Sequence, residues 1–261
     1  MKTLLLPLIF IFITPGFAED RERPSKGKFS LSLEGGTSFT VGGEFIRQMS
    51  SSSSMTIGST SLTATLSNDS FDFDDVFKTP EIFGLGFSYG LSESTELFGR
   101  LHHIKADAER FTVARFDISG TIGGTAVSAG ETLDAKFDDY KEWSITAGIR
   151  RYFNRFGSLS PFVSIEGGVG RVNELEVDIF SRTIKISDVS FYSDSWIPKV
   201  GVGVGISYDV TDNISLSVES GISYEGELNA DDESWGSVYK DVNNAGERWS
   251  VPFTFGFKVR W

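Results

Sequence analysis

The sequence contains no cysteine among its 261 residues, which excludes disulfide bonds, zinc–thiolate sites and thiol catalysis. Basic residues are also scarce, since 24 Lys and Arg face 36 Asp and Glu and give a net charge of −12. An acidic chain of this kind is a poor candidate for binding nucleic acid. After the first 18 residues, no apolar run is long enough to form a transmembrane helix. Histidine, the commonest general acid or base in enzymes, occurs only twice, as the adjacent His102 and His103.

The N-terminal segment has the features of a secretory signal peptide. Lys2 precedes an apolar run over residues 4–13, and Gly16 and Ala18 provide small residues at the positions that determine cleavage. A membrane anchor would need roughly twenty apolar residues, about twice the length of this run. We therefore predict a signal peptide over residues 1–18, cleaved after Ala18, followed by a periplasmic leader over residues 19–28.

The last segment, Trp249–Trp261, alternates with a period of two residues. Its odd positions are all apolar and its two ends are aromatic, whereas its even positions are Ser, Pro, Thr, Gly, Lys and Arg. A period of two indicates a β-strand with one apolar and one polar face. An apolar face with aromatic ends, opposite a face of small and charged residues, is typical of a strand with lipid outside and a polar lumen inside.

The same alternation recurs in seven earlier segments, so the sequence predicts eight strands. They cover residues 29–41, 83–89, 97–102, 143–153, 163–170, 196–208, 214–224 and 249–261. Long and short connections alternate between them, which is typical of an up-and-down barrel with long extracellular loops and short periplasmic turns. The predicted fold is thus all-β, a single antiparallel transmembrane β-barrel over residues 29–261.

The long loops contain shorter alternating pieces at residues 55–66, 118–127 and 175–186. We interpret these as hairpins that extend above the membrane. Alternatively, they raise the strand count of the barrel from eight to ten.

Aromatic residues recur where the predicted strands begin and end. They predict an outer girdle of Trp143, Trp196 and Trp249 and an inner girdle of Phe29, Tyr89, Phe153, Tyr208 and Trp261. The alternative is that these rings fill the core of a soluble sandwich. The glycine-lined opposite face argues against it, because the outer face of a sandwich has no need for so many small residues.

Six charged residues fall at similar heights on the polar faces of the strands. This predicted charge belt consists of Glu34, Arg100, Arg150, Glu166, Glu219 and Lys258. Isolated buried charges cost several kcal/mol each, so we expect Arg150 to pair with Glu166, and Lys258 with Glu219 and Glu34. The alternative is that each charge is separately hydrated in a wet lumen. Since an eight-stranded barrel is only wide enough for its own side chains, a paired belt would act as a plug.

Acidic residues are concentrated in the predicted loops. Two groups are candidate loops for a divalent cation: Asp72, Asp74 and Asp75 in the first, and Asp231, Asp232 and Glu233 in the last. Carboxylate oxygens are ligands for Ca²⁺ and Mg²⁺, but the residue order does not match an EF-hand loop. A solvated acidic surface is the simpler interpretation. The sequence predicts no other cofactor.

With these features the chain resembles the eight-stranded outer-membrane β-barrel proteins of Gram-negative bacteria, the group that includes the outer membrane protein A transmembrane domain and the opacity-type porin-like proteins. The resemblance lies in the final strand FTFGFKVRW, the turns GLSEST and YDVTDN, and the signal peptide. It implies an outer-membrane location, contact with lipid and lipopolysaccharide, and recognition of the final strand by the barrel-assembly machinery. Most members end in Phe, whereas this chain ends in Trp261. No peptidoglycan-binding domain is expected after that residue.

Three functions remain as hypotheses. The first is a structural anchor whose acidic extracellular loops serve surface interaction or adhesion with an extracellular partner, and this is the one we predict. The second is a narrow porin-like channel for ions or small solutes. The third is a lipid A-modifying enzyme, but the residues after His102 and His103 do not resemble the His-x-Ser-Asn pattern of lipid A deacylases. We therefore predict that the protein is not an enzyme.

Overall fold

A computed structural model of the protein describes residues 26–182, 185–230, 243 and 245–261. The predicted signal peptide, most of the leader, and Asp231, Asp232 and Glu233 lie outside the described residues. Within them, the regular structure comprises sixteen strands and one four-residue helix. No helix in these ranges is long and apolar enough to cross a membrane.

Eight of the strands close into an antiparallel barrel, which confirms the predicted fold class and the strand count of eight. They are β1 (Phe29–Gly42), β6 (Glu81–Ser92), β7 (Thr95–Ala106), β10 (Tyr140–Tyr152), β11 (Leu159–Val172), β14 (Ser195–Asp209), β15 (Ile214–Glu225) and β16 (Arg248–Arg260). Each pairs with the next barrel strand along the chain, and the pairing of β1 with both β6 and β16 closes the wall. Short turns lie at one end, here called the turn end, and long connections at the other, the loop end.

The two faces of the barrel wall differ as the alternation predicts. Large apolar side chains point outward all around the wall and remain exposed, for example Ile145 at 62% and Val204 at 62%. Their neighbours Ser144 and Thr146 point inward and are buried. An uncovered apolar band around a closed barrel, with a polar interior, is the arrangement of a barrel that spans a lipid bilayer.

The hairpins predicted in the long loops pair with one another and not with the barrel. The strands β3 (Met49–Ile57), β4 (Thr60–Asn68), β8 (Arg110–Ile122), β9 (Thr125–Phe137), β12 (Leu175–Phe180) and β13 (Lys185–Tyr192) form a second sheet. Its order is β13–β12–β9–β8–β4–β3, and we call it the outer sheet. Because residues 107–109 and 138–139 are the only links from β7 to β8 and from β9 to β10, the sheet grows directly out of the loop end.

A hydrophobic core fills the mouth of the barrel at the loop end. At its centre is Phe45 of β2 (Glu44–Ile46), whose ring centroid lies 5.1–6.2 Å from those of five other aromatic residues. These neighbours are Phe73, Phe77, Phe137, Phe191 and Tyr192. Inward-facing residues at the loop ends of the barrel strands, such as Ile104 and Ile197, belong to the same cluster. The connections therefore pack down into the mouth and cover it, an arrangement that the sequence reasoning did not predict.

The run FDFDDV, which looks like part of an acidic loop in the sequence, supplies part of this core. It forms β5 (Phe71–Asp72), which pairs with β2, and the short helix α1 (Phe73–Val76). Phe73 and Val76 are buried on one side of α1, whereas Asp74 and Asp75 lie on the other. The aromatic residues of this run therefore fill the core while its acids remain at the surface.

Glycines on the inner face allow the narrow barrel to close. A Cβ atom built on Gly36 would lie 2.1 Å from the carbonyl oxygen of Phe253 on the adjacent strand, which is too close for any side chain. On the outward-facing Gly35, the nearest atom to such a Cβ would be the carbonyl oxygen of Ile82 at 3.9 Å, an ordinary contact. The inner surface is crowded because the wall curves toward it, so glycine is required where the adjacent strand comes closest, as at Gly36.

We predict that Gly36→Ala destabilises the barrel by about 1–3 kcal/mol, since the backbone of β16 must shift to make room. Gly35→Ala, one residue away and facing lipid, is the matched control and should change stability by much less. Urea unfolding in detergent micelles measures both variants. Equal effects of the two substitutions would contradict the crowding argument.

Candidate functional site in the barrel lumen

Arg100 on β7 connects strands on three other parts of the wall. Its guanidinium lies 3.3 Å from a carboxylate oxygen of Glu34 and 3.2 Å from one of Glu166, and it also contacts Glu219. Since β15, which carries Glu219, lies four strands from β7 in either direction around the barrel, this last contact crosses the whole lumen. All of these side chains lie inside the wall, and those of Arg100, Glu34 and Glu219 are at most 10% exposed.

The network continues toward the turn end. Arg150 lies 2.8 Å from Glu219 and 3.8 Å from Glu96. Glu96 also contacts Lys258 at 2.8 Å and accepts a hydrogen bond of 2.9 Å from the Tyr152 hydroxyl. We call the connected set the central cluster: Glu34, Glu96, Arg100, His102, Arg150, Tyr152, Glu166, Glu219 and Lys258.

All six residues of the predicted charge belt lie in this cluster, but the pairs differ from those expected. Glu166 bonds with Arg100 and with the Thr146 hydroxyl at 3.0 Å, and not with Arg150. Lys258 bonds with Glu96, a residue that the sequence reasoning had missed. Long side chains reach across the narrow lumen, so residues that are adjacent along a hairpin are not the closest partners. The alternation could have identified Glu96, because it lies two and four residues before Phe98 and Arg100 and therefore faces the same side of the strand.

Phe98 interrupts the expected alternation of β7 because it points into the lumen. Its ring packs against the guanidinium groups of Arg100, at 4.6 Å, and Arg150, at 5.1 Å. The ring of Phe162 lies 4.4 Å from the Arg150 guanidinium. Stacking of this kind stabilises a cation that has been removed from water. The aromatic rings thus fill the space between the ion pairs and leave little room for a pore at this level.

A second set of ion pairs lies nearer the loop end. Glu142 contacts Lys199 and lies 3.1 Å from Arg248, while Glu225 contacts Arg248 and lies 2.9 Å from Lys199. The Tyr140 hydroxyl donates a hydrogen bond of 2.7 Å to Glu142. We call these five residues the mouth cluster. With two carboxylates and two cations it is neutral, as deeply buried charges need to be.

The mouth cluster lies directly beneath the aromatic core. The Arg248 guanidinium lies 4.3 Å from the centre of the Phe73 ring and 4.5 Å from that of Tyr140. The sequence reasoning did not include Glu142, Glu225 or Arg248 in a site, because they lie at or just outside the ends of the predicted strands. The alternation does contain the signal: Glu142 and Arg248 each precede an outward tryptophan, so both occupy inward positions.

A cavity of about 70 Å³ separates the two clusters. Its lining includes Arg100 and Glu219 on one side and Lys199 and Arg248 on the other. A space of this size could hold a few water molecules beside these charged groups. The paired side chains of the two clusters therefore lie on either side of this small cavity.

The two histidines face opposite sides of the wall. His102 points inward, with its Nε2 atom 3.0 Å from a Glu34 carboxylate oxygen. His103 points outward, and its ring packs against that of Trp143 at 4.7 Å. The central cluster thus contains four carboxylates, three permanent cations and one imidazole.

The residues of the two predicted girdles lie on the outer wall. Trp143 and Trp196 both oppose Arg171 on the strand between them and so stand at the same level near the loop end. Trp249 opposes Gly42 at the loop end of β1. Toward the turn end, the ring of Phe29 packs on that of Tyr89 at 4.8 Å. The remaining predicted residues, Phe153, Tyr208 and Trp261, are exposed at the same end.

In the candidate cation loop at residues 72–75, one of the carboxylates already accepts a hydrogen bond from the backbone of the same loop. The Asp72 backbone N–H donates to the Asp75 carboxylate at 2.9 Å, which fixes the start of α1. Partial burial, together with the neighbouring carboxylates of Asp75 and Asp74, raises the pKa of Asp72. Across the residues that the structure describes, no group of three or more His, Asp or Glu side chains is arranged to hold a metal ion.

Comparison with known proteins finds solved structures that are similar to this chain. No family model matches the chain, and no curated protein matches it. Neisserial surface protein A is 15% identical over 88% of this chain and 96% of its own, with a TM-score of 0.41. The attachment invasion locus protein Ail of Yersinia pestis is 13% identical over 89% and 99%, with a TM-score of 0.39. The outer membrane protein OprG from Pseudomonas aeruginosa is 15% identical over 90% and 97%, with a TM-score of 0.36.

The class of the protein follows from its own architecture. A closed, eight-stranded, antiparallel barrel with short turns at one end, long connections at the other and an apolar outer wall is the fold of the small outer-membrane β-barrels. The resemblance seen in the sequence is therefore confirmed at the level of the fold.

We predict that Arg100→Met lowers the free energy of unfolding by about 3–5 kcal/mol, because it leaves the buried carboxylates of Glu34 and Glu219, and the half-buried one of Glu166, without their shared cation. Arg110→Met is the matched control. Arg110 pairs with Asp134 at 3.0 Å in the outer sheet, but its side chain is 56% exposed, so its loss should cost less than about 1 kcal/mol. Urea unfolding in micelles compares the two variants. A small effect of Arg100→Met would show that the central cluster is hydrated and not buried.

Proposed function

We propose that the protein is an outer-membrane surface protein in which the barrel is a closed anchor and the outer sheet is the functional part. The observation that carries this proposal is the filling of the lumen at three successive levels. The central cluster, the mouth cluster and the aromatic core follow one another along the barrel axis. Ordered structure then continues outside the membrane as six further strands.

The proposed location is the outer membrane of a Gram-negative bacterium, reached by a signal peptide cleaved after Ala18. In that orientation the turn end faces the periplasm, and the loop end, with Trp143 and Trp196, lies at the lipopolysaccharide surface. The final strand β16 and Trp261 are the expected recognition element for the barrel-assembly machinery. The apolar outer wall and the girdles support contact with lipid on all sides.

The outer sheet is the part suited to an extracellular partner. Its strands β8 and β9 are 13 residues each and extend far beyond the mouth. At about 3.3 Å per residue, strands of this length reach roughly 40 Å, more than the height of the apolar band of a membrane barrel. A rigid sheet of this size serves contact with a partner and contributes nothing to transport through a closed lumen.

A narrow channel is the second candidate, favoured by the cavity between the clusters. Gly201 and Gly203 line part of it, and a Cβ atom built on Gly201 would come no closer than 3.5 Å to the nearest atoms. For catalysis we find less support, because His102 is engaged with Glu34 and His103 faces outward. We therefore infer that the protein is not an enzyme.

We predict that the refolded wild-type protein is silent in single-channel recordings across a planar bilayer. Because the two clusters lie in series, Arg100→Ala and Arg248→Ala should each leave the other cluster in place and conduct little. The double variant opens both clusters and also removes the contact of Arg248 with Phe73 that supports the aromatic core from below, so it should conduct more than either single variant. Arg110→Ala, which removes an exposed arginine of the outer sheet, is the control and should stay silent. Steady wild-type conductance that none of these substitutions changes would move the protein to the channel class.

A further inference from the structure

The strand β3 forms one edge of the outer sheet. It pairs along its whole length with β4, and none of the described residues pairs with its other side. The side chains of residues 52–57 are all exposed. Residues 48–68 contain no Asp, Glu, Lys or Arg, although the chain as a whole carries a net charge of −12. The sheet therefore ends in a long, uncharged row of backbone donors and acceptors.

Other edges of the outer sheet carry features that prevent strand addition, and β3 does not. The opposite edge strand β13 contains Lys185 and Asp188, and Asp188 has a positive φ of 58° where the pairing with β12 shifts register. The upper part of β9, beyond its pairing with β12, carries the charged residue Glu131. Charges and irregularities of this kind block edge-to-edge pairing. In β3 the nine residues run without charge, proline or register shift.

The turn between β3 and β4 identifies which backbone groups point outward. It has two residues, Gly58 and Ser59, with Gly58 at a φ of 59°, and Ile57 opposes Thr60. In a two-residue hairpin the residues that flank the turn exchange hydrogen bonds, and such pairs alternate along the ladder. The N–H and C=O groups of Ser52, Ser54 and Thr56 therefore point away from β4, toward the open edge.

We propose that β3 pairs in antiparallel fashion with β3 of a second copy of this chain, held in a facing membrane. This proposal rests on the proposed function, because it assigns the partner of the outer sheet. Two acidic copies repel each other over most of their surface, and the uncharged edge is where they approach without that penalty. The strand is also close to self-complementary: about a two-fold axis at Ser53, Ser52 lies opposite Ser54 of the second copy, and Met49 opposite Ile57.

The direction of β3 selects a facing membrane over the same membrane. The strand starts near the mouth core and runs outward to the hairpin tip at residues 58–59. A two-fold axis that relates copies in one membrane lies along the membrane normal, nearly parallel to such strands, and would make them run in the same direction. An axis between two facing membranes is perpendicular to the strands and makes them antiparallel, the more stable pairing.

Where β3 pairs with β4, its side chains already form hydroxyl–hydroxyl hydrogen bonds of the kind that a second copy would form. The hydroxyl groups of Ser54 and Thr63 lie 2.9 Å apart, and that of Thr56 donates to Ser61 at 3.3 Å. A second β3 would present the same hydroxyl groups from the other side. Met55 and Ile57, at 55% and 68% exposed, would add apolar contact near the tip.

The test uses the full-length mature protein in two populations of vesicles that carry different fluorophores and have the loop end outside. Wild-type vesicles should cluster, measured as the rate of coincident two-colour particles. The variants Ser52→Lys/Ser54→Lys and Ser52→Glu/Ser54→Glu place like charges opposite each other and should each lower the rate by about tenfold. Mixing the Lys vesicles with the Glu vesicles should restore it.

Two further variants separate the edge from general effects of charge and folding. Ser119→Lys/Thr121→Lys adds the same charge to exposed positions of β8, a strand that is paired on both sides, and should cluster as the wild type does. Ser54→Pro removes one edge-directed N–H without adding charge and should reduce clustering.

Three results would overturn the proposal: wild-type vesicles that stay dispersed, clustering that Ser54→Pro leaves unchanged, or like-charge variants that mixing does not rescue. A copy-to-copy contact found only within one membrane would also overturn it. Failure here leaves the closed lumen untouched, whereas steady wild-type conductance would refute the anchor function without affecting the clustering result.

Discussion

Arg100 and Glu219 project from opposite sides of the barrel, and their contact couples two walls that share no backbone hydrogen bond. Neither charge is stable alone in a space from which water is largely excluded. Each is therefore surrounded by further partners, Glu34 and Glu166 around Arg100, and Arg150 and Ser164 around Glu219. We infer a closed lumen from this arrangement, because side chains that meet at the barrel axis occupy the space that a central path would need.

The cross-lumen contacts depend on the narrowness of the barrel, which in turn depends on the glycines of its inner face. At Gly36 the adjacent strand approaches so closely that no Cβ fits. Small residues on the wall leave the interior to the long charged side chains of Arg100, Arg150 and Lys258. The aromatic core then covers the mouth with rings from separate connections, and this core joins the barrel to the outer sheet. The membrane-spanning part and the surface part are thus one continuous packed structure.

The alternation of apolar and polar residues was sufficient to predict the barrel. In a strand between lipid and a polar lumen, successive residues must be apolar and polar in turn. Ser30 to Ser38 and Ser250 to Lys258 present this pattern without interruption. The outer hairpins were also visible, since Gly58-Ser59 and Gly123-Gly124 are turn signals between alternating pieces. The ends of the strands were harder to predict, and the mouth cluster was missed for that reason. Glu142 and Arg248 lie one residue before the first outward apolar residue of their strands, Trp143 and Trp249.

The pairs and the core could not be predicted from local sequence. The contact of Lys258 with Glu96 joins residues 162 positions apart, on strands that are not neighbours in the wall. Phe45, Phe73 and Phe191 come from different connections, and nothing in their local sequence shows that they meet. An acidic run such as FDFDD looks like a solvated loop until the partners of its aromatic residues are known.

The measurement that most directly tests the central claim, a lumen filled by paired side chains, is the reactivity of a cysteine introduced between the two clusters. The chain has no cysteine of its own, so Ser144→Cys adds a single thiol at a buried position that lines the small cavity. Ser128→Cys, exposed on β9, provides the reference. We predict that a charged, membrane-impermeant thiol reagent modifies Ser128→Cys fully and leaves Ser144→Cys unmodified over the same time. Comparable reaction of both thiols would show an open, hydrated lumen and contradict the account.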